Sequence, residues 1–224
     1  MRLVSRHQGT ILSAVLVFAW LGLFAGSHPH HVKGVSPYFS AFGEFQDQTF
    51  LRIQRERQNN IFTFHREARY KIQKILARYE TGLDKKYHRL IPEWIVLESS
   101  KYNYDPLFIT AIIITESSFN NWAKSHRGAL GLMQIRPRTG HALAFETERE
   151  WKGEKSLFDP SINIALGIYY LDKLIKRFHS VELALTAYNH GPSKLNRYLK
   201  RGYQPQRYYK KVMANYQRLQ TSRA

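Results

Sequence analysis

Glu116 is the side chain whose type and surroundings are best suited to chemistry. It follows residues 107–115 (LFITAIIIT), a run that is apolar nearly throughout. Apolar surroundings disfavour the charged form of a carboxyl group and raise its pKa. A carboxyl group that is still protonated near neutral pH can act as a general acid. The alternative interpretation is a carboxylate that emerges into solvent where a helix ends, and this position alone leaves both open.

Two further motifs supply groups that could bind a sugar. Residues 128–134 (GALGLMQ) combine two glycines, which suit a tight turn, with apolar Met133 and the amide of Gln134. Residues 187–191 (AYNHG) place the ring of Tyr188 beside the amide of Asn189. An aromatic ring packs on the apolar face of a sugar, and amides bind its hydroxyl groups. In the competing interpretation, the Met and Tyr side chains belong to the core.

The elements that would position these motifs are predicted to be short helices. Asp105 and Pro106 form a strong helix start, because Asp caps the helix and Pro fits its first position. The apolar run 107–115 must then be buried on all sides. Its many β-branched residues make a buried strand the competing interpretation, but the Asp-Pro start and the length favour a helix. Residues 90–101 and 181–186 also show helical spacing.

An amphipathic helix is predicted before this region. From residue 44 to about 81 there is no proline or glycine, and Gly82 is a plausible stop. Apolar residues recur at steps of three and four: Ile61, Phe64, Ala68, Ile72, Ile75 and Tyr79. The helix could bind a partner or form a coiled coil. Packing on the domain that follows is favoured, because the stripe is too short for a sustained heptad pattern.

The N-terminus has the pattern of an export signal. Arg2 and Arg6 precede the apolar residues 10–26, and a basic flank before an apolar segment is retained in the cytoplasm. The apolar segment is long for a signal peptide and near the lower limit for a membrane-spanning helix. Ala25 and Ser27 are small enough for a cleavage site. Either an uncleaved anchor or a cleaved signal is expected, with the rest of the chain outside the cytoplasm.

Residues 28–43 are rich in Gly, Pro and Ser and are predicted to form a linker. His28, His30 and His31 lie in it. They are interpreted as exposed linker residues rather than metal ligands, because nothing nearby fixes a coordination geometry. The chain has no cysteine, which excludes disulfides, Cys-based zinc sites, Fe–S clusters and a Cys nucleophile. No metal or cofactor is expected.

Length and charge limit the class of protein. The chain has 224 residues and a mass of 26.4 kDa, which is room for one domain with an appended helical region. Its net charge of +17 suggests a polyanionic partner, which could be nucleic acid, anionic lipid or an acidic wall polymer. Tyrosines alternate with basic residues near the C-terminus, but export argues against nucleic acid.

Several motifs together resemble one family. ESSF at 116–119, GALGLMQ at 128–134 and AYNHG at 187–191 occur in order, with a block beginning at Asp159 and Pro160 between the last two. They are similar to the signature motifs of the soluble-lytic-transglycosylase-like domain, a relative of goose-type lysozyme. The resemblance covers residues 88–217. It implies a lysozyme-like, mainly helical domain with a groove for peptidoglycan.

The resemblance also implies roles for single residues. Glu116 matches the family's one catalytic carboxylate, which cleaves the β-1,4 bond between N-acetylmuramic acid and N-acetylglucosamine without water and leaves a 1,6-anhydro-muramic end. The matching residues beside the glycan or the carboxylate are Ser117, Ser125, Met133, Gln134, Tyr188 and Asn189. One departure is Gln204, which stands where the family often has Glu.

Two other functions stay open at this point. A lysozyme-type muramidase on the same fold would hydrolyse the bond, but the clustered Glu146, Glu148 and Glu150 lie outside the motifs. A non-catalytic scaffold protein would hold peptidoglycan without cutting it, and Gln204 slightly favours that hypothesis.

The sequence therefore predicts four segments. They are a signal anchor or signal peptide (1–27), a linker (28–43), an amphipathic helical region (44–86) and a lytic transglycosylase domain (87–220). The expected location is the cell envelope, either anchored in the inner membrane through 10–26 with the catalytic domain in the periplasm, or secreted to the periplasm. Peptidoglycan strands and the membrane are the expected partners, with an envelope complex as a candidate partner of 44–81, and no nucleic acid.

Overall fold

The computed structural model describes residues 37–222. The chain divides into two compact units, Met1–Arg55 and Glu56–Ala224. Over the described range the structure is built from eight α-helices and one short 3-10 helix, with two isolated β-bridges and no strand. The prediction of a mainly α protein is confirmed for that range. The expected signal or anchor (1–27) and the three linker histidines lie outside the described residues.

Helix α1 spans Pro37–Leu76. Residues 37–43, which the sequence suggested as part of a linker, are therefore helical. The physical reason is that proline fits the first helical position, where its missing N–H would have no intrahelical partner. The helix also ends before Gly82, in i→i+3 turns at Arg78 and Tyr79. These turns bring the ring of Tyr79 to 5.3 Å from that of Phe119, between centroids.

The first unit contributes the beginning of α1. The side chains of Phe50, Leu51 and Ile53 are exposed there, at 55% or more of their area. Such a surface is compatible with the partner-binding interpretation of 44–81, which stays a prediction. None of the helices in the range 37–222 combines the length and the hydropathy needed to cross a bilayer.

The second unit buries only the C-terminal part of the apolar face of α1. Ile72 and Leu76 are fully buried in its core, whereas Ile61 and Phe64 are exposed. Arg69 on α1 also forms an ion pair with Glu93, at 2.5 Å. The last turns of α1 therefore pack on the domain that follows, as the favoured interpretation of the stripe expected.

The remaining helices begin where the sequence offers capping groups. Their bounds are α2 Lys85–Ser100, α3 Pro106–Ser117, α4 Pro137–Glu146, the 3-10 helix Glu154–Phe158, α5 Pro160–Phe178, α6 Val181–His190, α7 Pro192–Leu199 and α8 Arg207–Thr221. Asp84, Asp105, Asp159 and Ser180 each accept a backbone hydrogen bond as N-caps of α2, α3, α5 and α6. Such a cap stabilises a helix by about 1 kcal/mol.

Helix α3 lies in the centre of the core, and α8 packs along it. Ile109, Ile112 and Ile113 have no exposed area, and each contributes about 1.5–3 kcal/mol by its burial. The run 107–115 is therefore a buried helix, as its Asp-Pro start predicted, and not a strand. Ser118 ends the helix in the left-handed conformation, with φ of 50°. Glu116 thus occupies the last turn of a buried helix.

Candidate active site

Glu116 lines a cavity of about 590 Å³, here called the catalytic cavity. The walls come from separate parts of the chain: the end of α3, the loop between α3 and α4, Tyr170 on α5, and residues 188–192 at the end of α6 and the start of α7. The three sequence motifs thus meet around one space. Such a convergence of polar and aromatic groups in a concave site is typical of a ligand-binding site.

The carboxyl group of Glu116 is partly enclosed and receives one hydrogen bond from another side chain. Burial raises its pKa from 4.5 to about 7. The hydroxyl of Tyr208 donates to Oε1 of Glu116, and that bond, with the charge of Lys211, lowers the pKa and opposes part of the rise. Desolvation is the larger effect. The pKa is thus raised in the direction that the apolar run before Glu116 predicted, and the role of Glu116 as an acid stays a prediction.

Helix α8 is held against α3 by two further polar contacts. Asn215 Nδ2 donates to Thr115 Oγ1 at 2.8 Å, and the hydroxyl of Tyr216 donates to Asp105 Oδ2 at 2.6 Å. These bonds reach both ends of α3, so they fix the register of the two helices. The position of Tyr208 over Glu116 follows from that register.

The loop between α3 and α4 is tied to the end of α3. Ser117 Oγ donates to the carbonyl of Leu132 at 2.8 Å. Gln134 has a left-handed backbone, with φ of 52°, and its Nε2 donates to the carbonyls of Ala123 and Gly131 at 3.1 and 3.0 Å. Ser125 Oγ accepts from the N–H of Ala129 at 3.0 Å. The hydrogen bonds of these polar groups thus fix the conformation of the loop.

Asn163 on α5 clamps the same loop from behind. Its side chain is fully buried. Nδ2 donates to the carbonyls of Leu130 and Leu157 at 3.0 and 2.8 Å, while Oδ1 accepts from the N–H of Met133 at 2.7 Å. A Cβ at Gly131 would overlap the Leu157 carbonyl oxygen and the Asn163 amide. Glycine is required there by this close approach and by its φ of 77°.

Tyr188 forms one wall of the catalytic cavity. Its hydroxyl donates to the carbonyl of Met133 at 2.9 Å, and its ring lies 5.3 Å from that of Tyr170, between centroids. Burial raises the pKa of Tyr188 well above 10, so the hydroxyl keeps its proton. Because the hydroxyl is engaged with the backbone, the aromatic ring is the part that Tyr188 offers to a sugar.

Five of the seven predicted site residues line the catalytic cavity: Glu116, Ser125, Gln134, Tyr188 and Asn189. Ser117 is not in its wall. The Ser117 hydroxyl holds the loop to α3 instead, which supports a positioning role beside Glu116. Contacts between these seven residues and glycan stay predictions.

Met133 requires a correction. The sequence suggested a side chain that contacts glycan, but Met133 is fully buried and fills the space against Gly167, where a Cβ would overlap its sulfur. The sequence shows that residue 133 is apolar, but it does not show whether the side chain faces the catalytic cavity or the core. Met133 contributes to the site only through its backbone groups, which bind Asn163 and Tyr188.

The predicted site residues omit several that belong to the site, among them Tyr208, Tyr170 and His190. Tyr208 lies shortly after Gln204 in the sequence, and Tyr170 lies on α5, which begins at Pro160. His190, within AYNHG, lines the catalytic cavity. Its Nδ1 is buried, and within the described range no hydrogen-bond partner faces it.

No second carboxylate joins Glu116 among the described residues of the catalytic cavity wall. Glu146 accepts from Lys173 at 2.5 Å and from Tyr169 at 2.9 Å, and Glu150 pairs with Lys152 at 2.8 Å.

Gln204 is exposed, and its Nε2 donates to Glu182 at 2.7 Å. Between residues 37 and 222 no group of three or more His, Asp or Glu side chains is arranged to hold a metal ion.

Comparisons with known proteins agree with this arrangement. The family model described as the transglycosylase SLT domain matches residues 94–210. Membrane-bound lytic murein transglycosylase C of Cronobacter sakazakii is 42% identical over 94 residues, which are 41% of this chain and 26% of that protein. Membrane-bound lytic murein transglycosylase E of Buchnera aphidicola is 40% identical over 111 residues, which are 45% of this chain and 52% of that protein.

A solved structure shows a similar fold. The 70 kDa soluble lytic transglycosylase SLT70 from Escherichia coli matches with a TM-score of 0.51 and 27% identity, over 56% of this chain and 24% of that one. The chain thus spans between about a quarter and about half of the length of these relatives. The family match covers more than half of the chain and includes every motif of the catalytic cavity. The chain belongs to the transglycosylase SLT domain family.

Proposed function

We propose that this protein is a peptidoglycan lytic transglycosylase. It cleaves the β-1,4 bond between N-acetylmuramic acid and N-acetylglucosamine and leaves a 1,6-anhydro-muramic end. The observation that carries the proposal is a single carboxyl group, Glu116, with a pKa raised to about 7, in the wall of a cavity that the family's motifs enclose. A reaction that needs one group as acid and then as base fits this geometry.

In the first step, protonated Glu116 donates its proton to the glycosidic oxygen. The bond from that oxygen to C1 of the muramic acid breaks, and the leaving sugar departs with a free hydroxyl. The carbonyl oxygen of the 2-acetamido group stabilises the positive charge at C1, so no protein nucleophile is required. Tyr208 stabilises the carboxylate that forms, because its hydroxyl already donates to Oε1.

In the second step, ionised Glu116 accepts the proton of the C6 hydroxyl of the same muramic acid. The oxygen at C6 attacks C1, the 1,6-anhydro ring closes, and Glu116 is protonated again. No water is consumed. The ring-closing hydroxyl is part of the bound sugar, so its effective concentration at C1 is far above that of a passing water molecule.

The two other hypotheses are less well supported by the site. A muramidase with two carboxylates would need a second one across the cavity, whereas Glu146 and Glu150 are engaged with lysines elsewhere. A scaffold protein would not need a carboxyl group with a raised pKa held by Tyr208. Both hypotheses differ from ours in their products.

The test compares the full-length protein with its Glu116→Gln variant on purified sacculi. We expect soluble muropeptides lighter by one water molecule than reducing-end forms, detected by mass spectrometry. The variant should lose at least about a thousandfold in rate, because both proton transfers depend on the carboxyl group. Glu150→Gln is the matched control, since Glu150 is exposed and outside the catalytic cavity. Reducing-end products, or an active Glu116→Gln variant, would contradict the proposal.

The location follows from the same hypothesis. We propose a lysozyme-like domain in the periplasm, joined to an inner-membrane anchor at residues 10–26 or released when that segment is cleaved. Both curated relatives reported above carry "membrane-bound" in their names. Cell fractionation with protease treatment of spheroplasts tests this location. Membrane-associated or periplasmic protein that the protease digests is expected, and protein protected in the cytoplasm would overturn it.

A further inference from the structure

A cavity lined by aromatic side chains lies apart from the catalytic cavity. It has a volume of about 300 Å³ and is here called the aromatic cavity. Three parts of the chain form its wall: residues 82–84 with Tyr87 at the start of α2, Trp122 in the loop between α3 and α4, and residues 158–160 at the start of α5. None of the described residues in this wall also lines the catalytic cavity. The aromatic cavity is therefore a separate candidate site.

Trp122 is exposed and at the same time fixed in one orientation. It keeps 55% of its area exposed. Its Nε1 donates to the carbonyl of Gly82 at 2.8 Å, and its ring lies 5.4 Å from that of Phe158, between centroids. A Cβ at Gly82 would lie 2.6 Å from Cδ1 of Trp122, so the indole packs directly on the glycine backbone. Because the indole N–H is already engaged, the face of the ring is what Trp122 offers to a ligand.

The wall around Trp122 is formed before any ligand binds. The neighbouring Asn121 is fully buried. Its backbone N–H donates to the carbonyl of Thr81 at 3.0 Å, and its Nδ2 donates to the carbonyl of Phe158 at 2.8 Å. These two bonds join the loop to both other parts of the wall. A ligand therefore has little ordering of the protein to offset when it binds.

Oxygen atoms without partners complete the wall. Asp84 and Asp159 each use Oδ1 to cap a helix, accepting from the N–H groups of Tyr87 and Ser161 at 2.9 Å. Among the described residues, no hydrogen bond or ion pair reaches Oδ2 of either aspartate or the hydroxyl of Tyr87. These three oxygens remain available to hydroxyl groups at the edge of a ligand that packs on the rings.

The charges around the aromatic cavity are close to balance. Asp84 and Asp159 are the N-caps of α2 and α5, so the positive ends of two helix dipoles lie at the same two carboxylates. Lys85 and Lys86 directly follow Asp84 in the first turn of α2. The two negative charges are thus offset nearby. An uncharged ligand with hydroxyl groups fits this balance better than an ammonium group or an anion.

We propose that the aromatic cavity is a second saccharide-binding site, which takes no part in catalysis. A sugar ring packs its apolar face on the indole of Trp122, and its hydroxyl groups donate to the free oxygens of Asp84 and Asp159. The volume is at the lower end of the range for small-ligand sites, so the site holds a short stretch of glycan. The identity of that glycan rests on the proposed function: it is a peptidoglycan strand, held here while another is cut at Glu116.

The experiment separates binding to the wall from cleavage. Binding of the full-length protein to purified sacculi is measured by co-sedimentation in the Glu116→Gln background, and kcat/KM is measured on short soluble glycan strands with Glu116 present. The tested variants are Trp122→Ala and Tyr87→Ala, which remove rings from two different parts of the wall. Phe145→Ala is the matched control, because Phe145 is 84% exposed and lines neither cavity. None of the three substitutions changes the charge of the protein.

We expect Trp122→Ala and Tyr87→Ala each to lose about tenfold in affinity for sacculi, the loss expected when one aromatic contact with a ligand is removed. Their kcat/KM on short strands should equal that of the wild type, because such strands need only the catalytic cavity. Phe145→Ala should match the wild type in both measurements. An oligomer of N-acetylglucosamine should compete with sacculi for the protein that carries Trp122, and compete less for Trp122→Ala.

Three results would overturn the inference. The first is an equal loss in affinity and in kcat/KM for both variants, which would show an effect on the fold of the domain. The second is no loss of affinity in either variant. The third is competition by choline and not by the sugar oligomer, which would assign the aromatic cavity to a cation. Failure of the proposed function has a different signature, because the wild type would then release no anhydro products while the binding comparison still decides the inference.

Discussion

The hydroxyl of Tyr208 donates a hydrogen bond to Oε1 of Glu116, which lies 92 positions earlier in the chain. The bond joins the first turn of α8 to the last turn of α3. It works against burial, which is the larger influence on the pKa of Glu116. The carboxyl group is thereby kept near the point where it can both give and accept a proton, which is the balance that a group serving as acid and then as base requires.

Replacing Tyr208 with Phe tests this balance. The Tyr208→Phe variant loses a bond that favours the carboxylate, so the pKa of Glu116 rises further. Because Glu116 must be protonated to start the reaction, the high-pH limb of the kcat/KM profile should move to higher pH. The rate at the optimum should fall about tenfold, since the carboxylate formed in the first step loses a net hydrogen bond. The measurement is the pH dependence of product release.

Tyr216→Phe is the control for that variant. It also removes a tyrosine–carboxylate bond between α8 and α3, but at Asp105 and not at Glu116. We expect a loss of about 1–2 kcal/mol in the free energy of unfolding, with an unchanged pH profile. If the pH profile of kcat/KM moved equally in both variants, the register of the two helices, and not the bond to Glu116, would determine the position of its high-pH limb.

The raised pKa of Glu116 also makes stability depend on pH. Its pKa is about 7 in the folded protein against 4.5 for the unperturbed group. Between these values the folded state holds a proton that the unfolded state has lost, so the contribution of Glu116 to stability falls as pH rises from 4.5 to 7. The decrease is about 3 kcal/mol when the shift is converted to free energy.

Urea unfolding of the wild type and the Glu116→Gln variant at pH 4.5 and 7.5 measures this decrease. Gln does not titrate, so the variant should gain relative stability at the higher pH. The contributions of all other groups cancel in the comparison. An equal difference between the two proteins at both pH values would mean that the pKa of Glu116 is not raised.

Asn163 is expected to be among the most sensitive positions outside the catalytic cavity. Asn163→Ala leaves the carbonyls of Leu130 and Leu157 and the N–H of Met133 without their partner. Each buried, unpaired group costs about 1–3 kcal/mol, so we expect a loss of at least about 3 kcal/mol in the free energy of unfolding. Asn196→Ala, at a partly exposed position on α7, should cost less than about 1 kcal/mol. Similar losses in the free energy of unfolding at the two positions would contradict the role of Asn163 in holding the loop.

The sequence was most informative where one local pattern decides the structure. The Asp105–Pro106 start and the apolar run behind it predicted α3, and the position of Glu116 at its end predicted the raised pKa. The start of α1 at Pro37 was missed because the same proline also suits a linker. In both cases the neighbouring residues support two structures, and only at 107–115 does a further signal, the Asp-Pro start, decide between them.

The contacts that complete the site were beyond such local patterns. The bond from Tyr208 to Glu116 depends on how α8 packs along α3, and the buried position of Met133 depends on its contact with Gly167. Motif matches named five of the residues in the cavity wall, but packing decides which side chains face the substrate.

The clamp formed by Asn163 has a consequence for recognition. The loop that carries Ser125 and Gln134 loses its conformational entropy when the domain folds, because its backbone is then held by a buried side chain. That entropy is not lost a second time when a strand binds, so more of the contact energy appears as affinity. The unliganded protein should already have the shape that receives the glycan, and a rigid mimic of the substrate should bind it without waiting for a rearrangement.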